Sequence, residues 1–222
     1  MLLCLKILQC IYYIMKSLNL IFGGLKLSNK VLAKYSTIYP QKSIVVPFTF
    51  PCILLGKKYN QYTNFNKKLK DIDHIHIHVL SGSCHYLYHF LDKFPEHKPK
   101  IKSQVFDSPC HINGLSPSLK KLYNIPESSS KFLIDNIFSD CVTTSDYFMN
   151  GPLINDIPTG IIISDEDHIS PKKYMDRMYN NWSRDLEIKV MKTNSKHLES
   201  FKDKPGEYMS FCHSIQSKLI EV

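Results

Sequence analysis

The chain has 222 residues, a length that fits one domain with a sizeable hydrophobic core. Hydrophobic residues make up 43% of it, which is ordinary for a folded domain and argues against intrinsic disorder. The net charge of +8 comes almost wholly from lysine, since the only arginines are Arg177 and Arg184. Because phosphate and base recognition favours arginine, this composition predicts a solvated basic surface and no nucleic-acid partner.

The seven cysteines are widely spaced, and no two of them form a C-x-x-C pair. Secreted disulfide frameworks use even numbers of cysteines, whereas an odd number at irregular spacing is typical of a reducing compartment. The cysteine pattern therefore predicts an intracellular protein.

Residues 1–18 form an apolar N-terminal segment. Lys6, Gln9 and Lys16 interrupt its apolar runs, so none reaches the roughly 18–20 residues that a membrane-spanning helix needs. The segment also lacks the uninterrupted apolar core of a signal peptide. We expect a peripheral segment followed by a single domain over 19–222, and the alternative is an anchor in the membrane interface.

The rest of the chain alternates strand and helix patterns. The predicted strands are 19–22, 43–46, 74–80, 104–106, 160–164 and 186–192. The predicted helices are 29–39, 57–71, one ending near 94, one with Ser170 as N-cap and Pro171 at its first position, and a final helix that buries Met209, Cys212, Ile215 and Leu219. This alternation predicts an α/β fold with a mostly parallel sheet and helices on both faces. Residues 111–157 break the pattern and are predicted to form a short cap insert.

Strand 74–80 stops abruptly at Ser81, and a helical pattern begins at once. A serine on such a strand-to-helix turn is typical of the nucleophile elbow of an α/β-hydrolase. Asp167 follows strand 160–164 and His197 follows strand 186–192, which is the order Ser, Asp, His found in that fold. These residues predict an α/β-hydrolase-like fold in which Ser81 attacks, His197 acts as base and Asp167 orients the imidazole.

An oxyanion hole is predicted from backbone N–H groups beside the elbow. The N–H of Gly82 would supply one donor, and that of Gly24 or Leu25, after the first strand, would supply the other. Ester or amide bonds of a small acyl or lipid-like substrate would suit this chemistry.

Three further residues are alternative or supporting members of the site. Ser83 is a second candidate nucleophile, although it is also the small residue that a close crossing of strand and helix needs. Asp165 lies nearer the strand end than Asp167, and Asp107 follows the preceding strand. We expect the carboxylate of Asp107 to bind backbone N–H groups in a turn that shapes the floor of the site.

Three histidines, His74, His76 and His78, alternate along one predicted strand and therefore share one face. No cysteine or carboxylate accompanies them at metal-ligand spacing. We expect these rings to hydrogen-bond between the sheet and a helix, and we expect neither a metal nor another cofactor.

Four sequence blocks resemble one known family. They are Leu20–Gly24 followed by Leu32–Tyr39 (L-A-K-Y-S-x-I-Y), His78–Ser81 followed by Leu87-Tyr88, Phe106–Pro109 (F-D-S-P), and Ile163-Ser164 with Asp167, His197 and Tyr208. On these blocks the chain resembles the transmembrane protein 53 family, a divergent branch of α/β-hydrolase-like proteins. It departs from that family at Gly82-Ser83-Cys84, where the family has N-G-G, and in its shorter, acidic insert.

The resemblance implies a second class of function beside that of a serine hydrolase. Better-known members of the family sit at the nuclear envelope and restrain bone morphogenetic protein signalling without an established catalytic activity. A non-catalytic, membrane-associated regulator acting through protein contacts, at the nuclear envelope or endoplasmic reticulum, is therefore the alternative. The loss of the elbow glycines, at Val79 and Ser83, favours the regulator, and the retained Ser, Asp and His favour the hydrolase.

Overall fold

The computed structural model describes residues 16–24, 27–47, 61–110, 120, 124–126, 128–130, 132, 148–152, 154–184 and 186–217. Its strands are β1 (Ser17–Phe22), β2 (Ser43–Val46), β3 (His74–Leu80), β4 (Ile101–Asp107), β5 (Thr159–Ser164) and β6 (Ile188–Thr193). Its α-helices are α1 (Asn29–Tyr35), α2 (Gln61–Leu69), α3 (Cys84–Lys93), α4 (Lys172–Trp182), α5 (Ser200–Asp203) and α6 (Pro205–Gln216). Residues 1–15, the start of the predicted helix 57–71, Leu219 and most of the predicted insert lie outside the described residues.

The six strands form one sheet in the order β2-β1-β3-β4-β5-β6, and every neighbouring pair is parallel. The predicted parallel α/β architecture is therefore confirmed. The strand order reverses between β1 and β3, and the crevice at the carboxyl ends of two such strands is where open α/β sheets bind ligands. Ser81 follows the carboxyl end of β3, and Gly23-Gly24 follows that of β1.

Successive side chains of each strand enter two separate hydrophobic clusters, as the two-residue period of a strand requires. On β5, Ile161 and Ile163 belong to one cluster and Ile162 to the other. The first cluster contains buried residues of α2, α3 and α4, and the second contains residues of α1 and α6. Helices therefore cover both faces of the sheet.

Helix α1 ends at Tyr35, four residues before the predicted end. The hydroxyls of Ser36 and Thr37 donate to the carbonyls of Ala33 and Lys34 at 2.6 and 2.7 Å. Such side-chain bonds compete with the helical ladder and end the helix. The turn that follows still buries Ile38 and Tyr39 in the second cluster, which explains why the apolar pattern runs on to 39.

Strand β4 begins at Ile101, three residues before the predicted start. Its added residues include Ser103, which is buried and hydrogen-bonds His76 on β3 at 2.8 Å. A polar residue with a partner so distant in sequence carries no local strand signal. The prediction of Ser170 as an N-cap was wrong, because Pro171 holds that position and the Ser170 hydroxyl donates instead to the carbonyl of Ser108.

Across the described residues, no helix combines the length and apolar character that a bilayer crossing requires.

Trp182 is the largest fully buried side chain of the first cluster, and its replacement tests the packing of α4 on the sheet. Its ring lies edge-on to Phe106 and Phe148, with centroids 5.2 and 4.9 Å away, and its N–H donates to the Phe148 carbonyl. We expect Trp182→Ala to lower the free energy of unfolding by roughly 3–5 kcal/mol in denaturant titrations. Val31→Ala, at an exposed position of α1, should change it by less than about 0.5 kcal/mol. A loss below about 1 kcal/mol in Trp182→Ala would contradict this packing.

Candidate active site

The turn after β3 places Ser81 in an unusual backbone conformation. Its φ of 57° lies in the left-handed region, which residues other than glycine rarely adopt. Leu80 before it is extended, and a 3₁₀ turn over Ser81–Ser83 leads directly into α3. A strained residue between a buried strand and a helix is the expected geometry of a nucleophile elbow.

Ser83 has a structural part in this turn. Its side chain is fully buried, and its hydroxyl donates to the carbonyls of Phe22 and Leu80 at 3.0 and 2.8 Å. The hydroxyl thus ties the elbow to the end of β1. Val79, which stands where many elbows have glycine, is fully buried in the first cluster. The turn therefore forms without either glycine.

Ser81, His197 and Asp167 lie in one hydrogen-bonded line. The Ser81 Oγ atom is 2.8 Å from His197 Nε2, and His197 Nδ1 is 2.7 Å from Asp167 Oδ2. A carboxylate only accepts, so Nδ1–H donates to Asp167 and Nε2 is left to accept the serine proton. The His197 side chain is 13% exposed and that of Asp167 is 1% exposed, so the line runs from the surface into the protein.

Asp167 is oriented by the start of the loop that leads to α4. Its Oδ1 atom accepts the N–H groups of Ile169 and Ser170, both at 2.8 Å, and Oδ2 faces the imidazole. Asp165, the alternative acid, is half-exposed and forms a 2.7 Å ion pair with Lys172. That hydrogen bond and the lysine charge lower the pKa of Asp165. The structure thus brings Asp167, and not Asp165, to the imidazole.

Two polar contacts position the loop that carries His197. The hydroxyl of Ser164, at the end of β5, donates to the Ser195 carbonyl. The hydroxyl of Tyr35, on α1, donates to the Leu198 carbonyl at 3.2 Å. Leu198 has a φ of 58°, and no local signal distinguishes this leucine in the sequence, because glycine and asparagine are the usual residues in that region.

Of the three residues predicted to supply oxyanion donors, Gly24 and Gly82 belong to the described part of the chain. Gly82 directly follows Ser81 in the 3₁₀ turn. Gly24 lies close to Ser81: a Cβ added to it would be 3.4 Å from the Ser81 Cβ and 2.7 Å from Leu198 Cδ1. Leu25 lies outside the described residues. A glycine at position 24 therefore leaves space between Ser81 and the loop that carries His197.

A network of buried side chains surrounds Asp107, at the end of β4. Tyr208 donates to its Oδ2 atom at 2.7 Å and Ser108 to its Oδ1 atom at 3.0 Å. These hydroxyls take the part that the sequence suggested for backbone N–H groups. Burial raises the pKa of Asp107 to about 6, against the opposing effect of these hydrogen bonds. The Tyr208 hydroxyl also lies 2.9 Å from His78 Nε2, and the Tyr39 hydroxyl lies 2.8 Å from His78 Nδ1.

The prediction that the histidines of β3 bond between the sheet and a helix holds for His78 and not for His76. His78 bonds Tyr208 on α6, and His76 bonds Ser103 on β4. Burial lowers the pKa of His76 to about 4 and that of His78 to about 3. In the described part of the chain, no group of three or more His, Cys, Asp or Glu residues could hold a metal ion.

The buried histidines make stability depend on pH. Unfolding returns the pKa of His76 and His78 to about 6.5, so between about pH 6 and 4 the unfolded chain binds two more protons than the folded one. These histidines therefore lower the free energy of unfolding as the pH decreases. Asp107 acts in the opposite sense, because its folded pKa of about 6 exceeds the ordinary 3.8. The two effects leave a net difference of about one proton, so the free energy of unfolding decreases by about 1.4 kcal/mol for each pH unit by which the pH is lowered.

His76→Gln should remove most of this slope in denaturant titrations at pH 6, 5 and 4, whereas His168→Gln, at an exposed site, should retain it. An unchanged slope in His76→Gln would refute the argument.

Comparisons with known proteins agree with this architecture. No family model and no curated protein matches the chain. Among solved structures, the Pyrococcus furiosus esterase Pf2001 is 14% identical with a TM-score of 0.60, covering 91% of this chain and 82% of the esterase. MGS-M2, an α/β hydrolase from a deep-sea metagenome of the Medee basin, is 16% identical with a TM-score of 0.56, covering 91% and 90%. Mouse alpha/beta hydrolase domain-containing protein 10 is 12% identical with a TM-score of 0.57, again covering 91% and 90%. The parallel sheet and these similarities together establish that the chain has the α/β-hydrolase fold.

Proposed function

We propose that this protein is a serine hydrolase that cleaves ester or amide bonds through Ser81, His197 and Asp167. The observation that carries the proposal is the continuous hydrogen-bonded line from Ser81 Oγ through the His197 ring to Asp167 Oδ2. Chance contacts among surface residues would not combine this line with a left-handed serine between strand and helix. The esterases among the similar solved structures also favour ester bonds.

The proposed reaction follows from the positions of these atoms. His197 Nε2 takes the Ser81 proton as Oγ attacks the carbonyl carbon of the substrate, and Asp167 stabilises the imidazolium that forms. The N–H of Gly82, with a donor from the turn after β1, binds the developing oxyanion. The imidazolium then protonates the leaving alcohol or amine. Water, deprotonated by His197, releases the acyl group from Ser81. We propose a small acyl or lipid-like substrate.

The finer assignment to the transmembrane protein 53 family is also a proposal. Its support is that residues of the four matching blocks meet near the triad. Gly24 borders Ser81, Tyr35 bonds the carbonyl after His197, and Tyr208 bonds Asp107. The regulator at the nuclear envelope stays the alternative function. The elbow conformation favours the hydrolase, because a protein acting only by contact has no need of a strained serine aligned with a histidine.

A fluorophosphonate probe, which reacts with activated serines, tests the proposal. We expect the purified protein to be labelled at Ser81, with no labelling of Ser81→Ala. His197→Ala should be labelled at least about 100-fold more slowly, because the base is lost. Ser83→Ala should still be labelled, since the Ser83 hydroxyl is occupied by two carbonyls.

Two outcomes of that experiment would contradict the proposal. A folded wild-type protein that is not labelled would favour the regulator. Labelling that persists in Ser81→Ala and disappears in Ser83→Ala would move the nucleophile to Ser83.

Gly24→Ala tests the space beside the nucleophile. The added Cβ would force Leu198 away from its place next to His197, so we expect labelling at least about fivefold slower with the fold retained. Gly151→Ala is the matched control, because a Cβ at Gly151 meets no atom within 4 Å. Equal labelling rates in the two variants would show that this space does not matter for the reaction.

A further inference from the structure

Leu198, directly after His197, is a strained residue whose side chain has no part in the proposed reaction. Its φ of 58° lies in the left-handed region, where a glycine would be free of strain and a leucine is not. Residues held in such conformations cluster at active sites and ligand clamps, where a gain elsewhere offsets the strain. A leucine differs from a glycine at this position by its isobutyl side chain, so the contacts of that side chain indicate what the strain serves.

The Leu198 side chain lies beside Ser81, together with that of Leu27, and we call the two the leucine pair. A Cβ added to Gly24 would be 2.7 Å from Leu198 Cδ1 and 3.3 Å from Leu27 Cδ1. The same point lies 3.4 Å from the Ser81 Cβ. Both leucines are half-buried and pack on the second cluster, so each keeps part of its apolar surface accessible. Because Ser81 is only 7% exposed, a substrate that reaches its hydroxyl must also contact its neighbours.

The leucine pair is held in place by backbone hydrogen bonds. The Tyr35 hydroxyl donates to the Leu198 carbonyl at 3.2 Å, and the Leu27 N–H donates to the Gly24 carbonyl at 3.2 Å. Gly24 permits the close approach of both side chains because it has no Cβ. An apolar surface fixed in this way binds a substrate without first having to be ordered.

The position of the leucine pair indicates which part of a substrate it contacts. Leu27 is on the turn after β1, which supplies a proposed oxyanion donor, and Leu198 follows the proposed base. A carbonyl carbon attacked by Ser81 directs its oxygen to the oxyanion donors and its leaving group to His197 Nε2, which protonates that group. The acyl chain takes the remaining side. The leaving group is therefore the part of the substrate nearest the leucine pair.

We propose that the leucine pair binds the carbon chain of the leaving group, so that this protein prefers esters of apolar alcohols to esters of small or charged ones. The inference rests on the proposed function and names the substrate class of the same site, with Leu27 and Leu198 as specificity-determining residues. Apolar side chains gain by burying methylene groups, whereas a charged group placed against them loses its hydration. Each methylene buried there should raise kcat/KM by about fourfold.

Two series of esters test which side of the substrate the leucine pair contacts. In the alcohol series, acetic acid is esterified with methanol, ethanol, propanol or butanol. In the acyl series, methanol is esterified with acetic, propionic, butyric or pentanoic acid. We would measure kcat/KM by titrating the released acid at constant pH for the wild type, Leu27→Ala, Leu198→Ala and the control Val31→Ala, at an exposed apolar position of α1.

The readout is the gain in kcat/KM for each added methylene within one variant. A general loss of activity cancels in this ratio, because all esters of a series meet the same catalytic groups. We expect about a fourfold gain along the alcohol series for the wild type and Val31→Ala, and about twofold or less for Leu27→Ala and Leu198→Ala. The acyl series should show the wild-type gain in all four proteins. Unchanged gains along the alcohol series in both alanine variants, or a change along the acyl series instead, would overturn the inference.

Two further variants at position 198 separate the side chain from the backbone. Leu198→Gly adopts the left-handed conformation without strain, so it should keep the fold and still lose the gain along the alcohol series. Leu198→Met keeps an apolar chain of similar volume and should retain the gain. A Leu198→Gly protein with the wild-type gain would contradict the inference even if Leu198→Ala does not fold.

Fluorophosphonate labelling of Ser81 separates this inference from the proposed function. A wild type that is labelled, but hydrolyses neither series or shows no dependence on the alcohol chain, would refute the inference alone. A folded wild type that is neither labelled nor active on any of the esters would refute the proposed function and the inference with it.

Discussion

The left-handed backbone of Ser81 is the constraint on which the rest of the site depends. An L-residue stays in that region only where its neighbours leave no alternative, and here a fully buried strand precedes it and a buried helix follows. Ser83 adds the bond to β1 that fixes the turn against the adjacent strand. The packing of β3 and α3 thus positions Ser81, and the loops bearing Asp167 and His197 extend to it from the same edge of the sheet.

Those two loops reach that point because the sheet is parallel. The strands β3, β4, β5 and β6 all run the same way, so Ser81, Asp107, Asp167 and His197 emerge at one edge although up to 116 residues separate them. Each carboxylate there has donors of its own: backbone N–H groups for Asp167 and hydroxyls for Asp107. Fully satisfied polar groups of this kind make a buried site rigid.

The sequence predicts the strands and their parallel arrangement well, because each depends on local patterns, and it places at strand ends the three residues that the structure brings into hydrogen-bonding contact. Buried strands read as apolar runs, and Ser81, Asp167 and His197 each follow one of them. The partners of Asp107 and the ends of α1 and β4 cannot be predicted from the local sequence pattern. They depend on Tyr208, Ser36 and Ser103, whose roles arise from contacts made across the fold or from hydroxyls that compete with the helix. The Leu198 conformation is hidden for the same reason: a tyrosine 163 residues away holds its carbonyl.

The division of the core into two clusters gives the two faces of the sheet different tolerance to change. The face beneath α3 and α4 is mostly apolar, apart from groups such as the Trp182 N–H, so most volume-conserving exchanges there can be absorbed by repacking. The face beneath α1 and α6 combines apolar packing with His78, Tyr35, Tyr39 and Tyr208, whose hydroxyl and ring protons must keep their directions. A phenylalanine there would fill the same space and still break a chain of bonds. Substitutions in the first cluster are therefore limited mainly by side-chain volume, whereas those in the second must also preserve hydrogen-bond donors and acceptors.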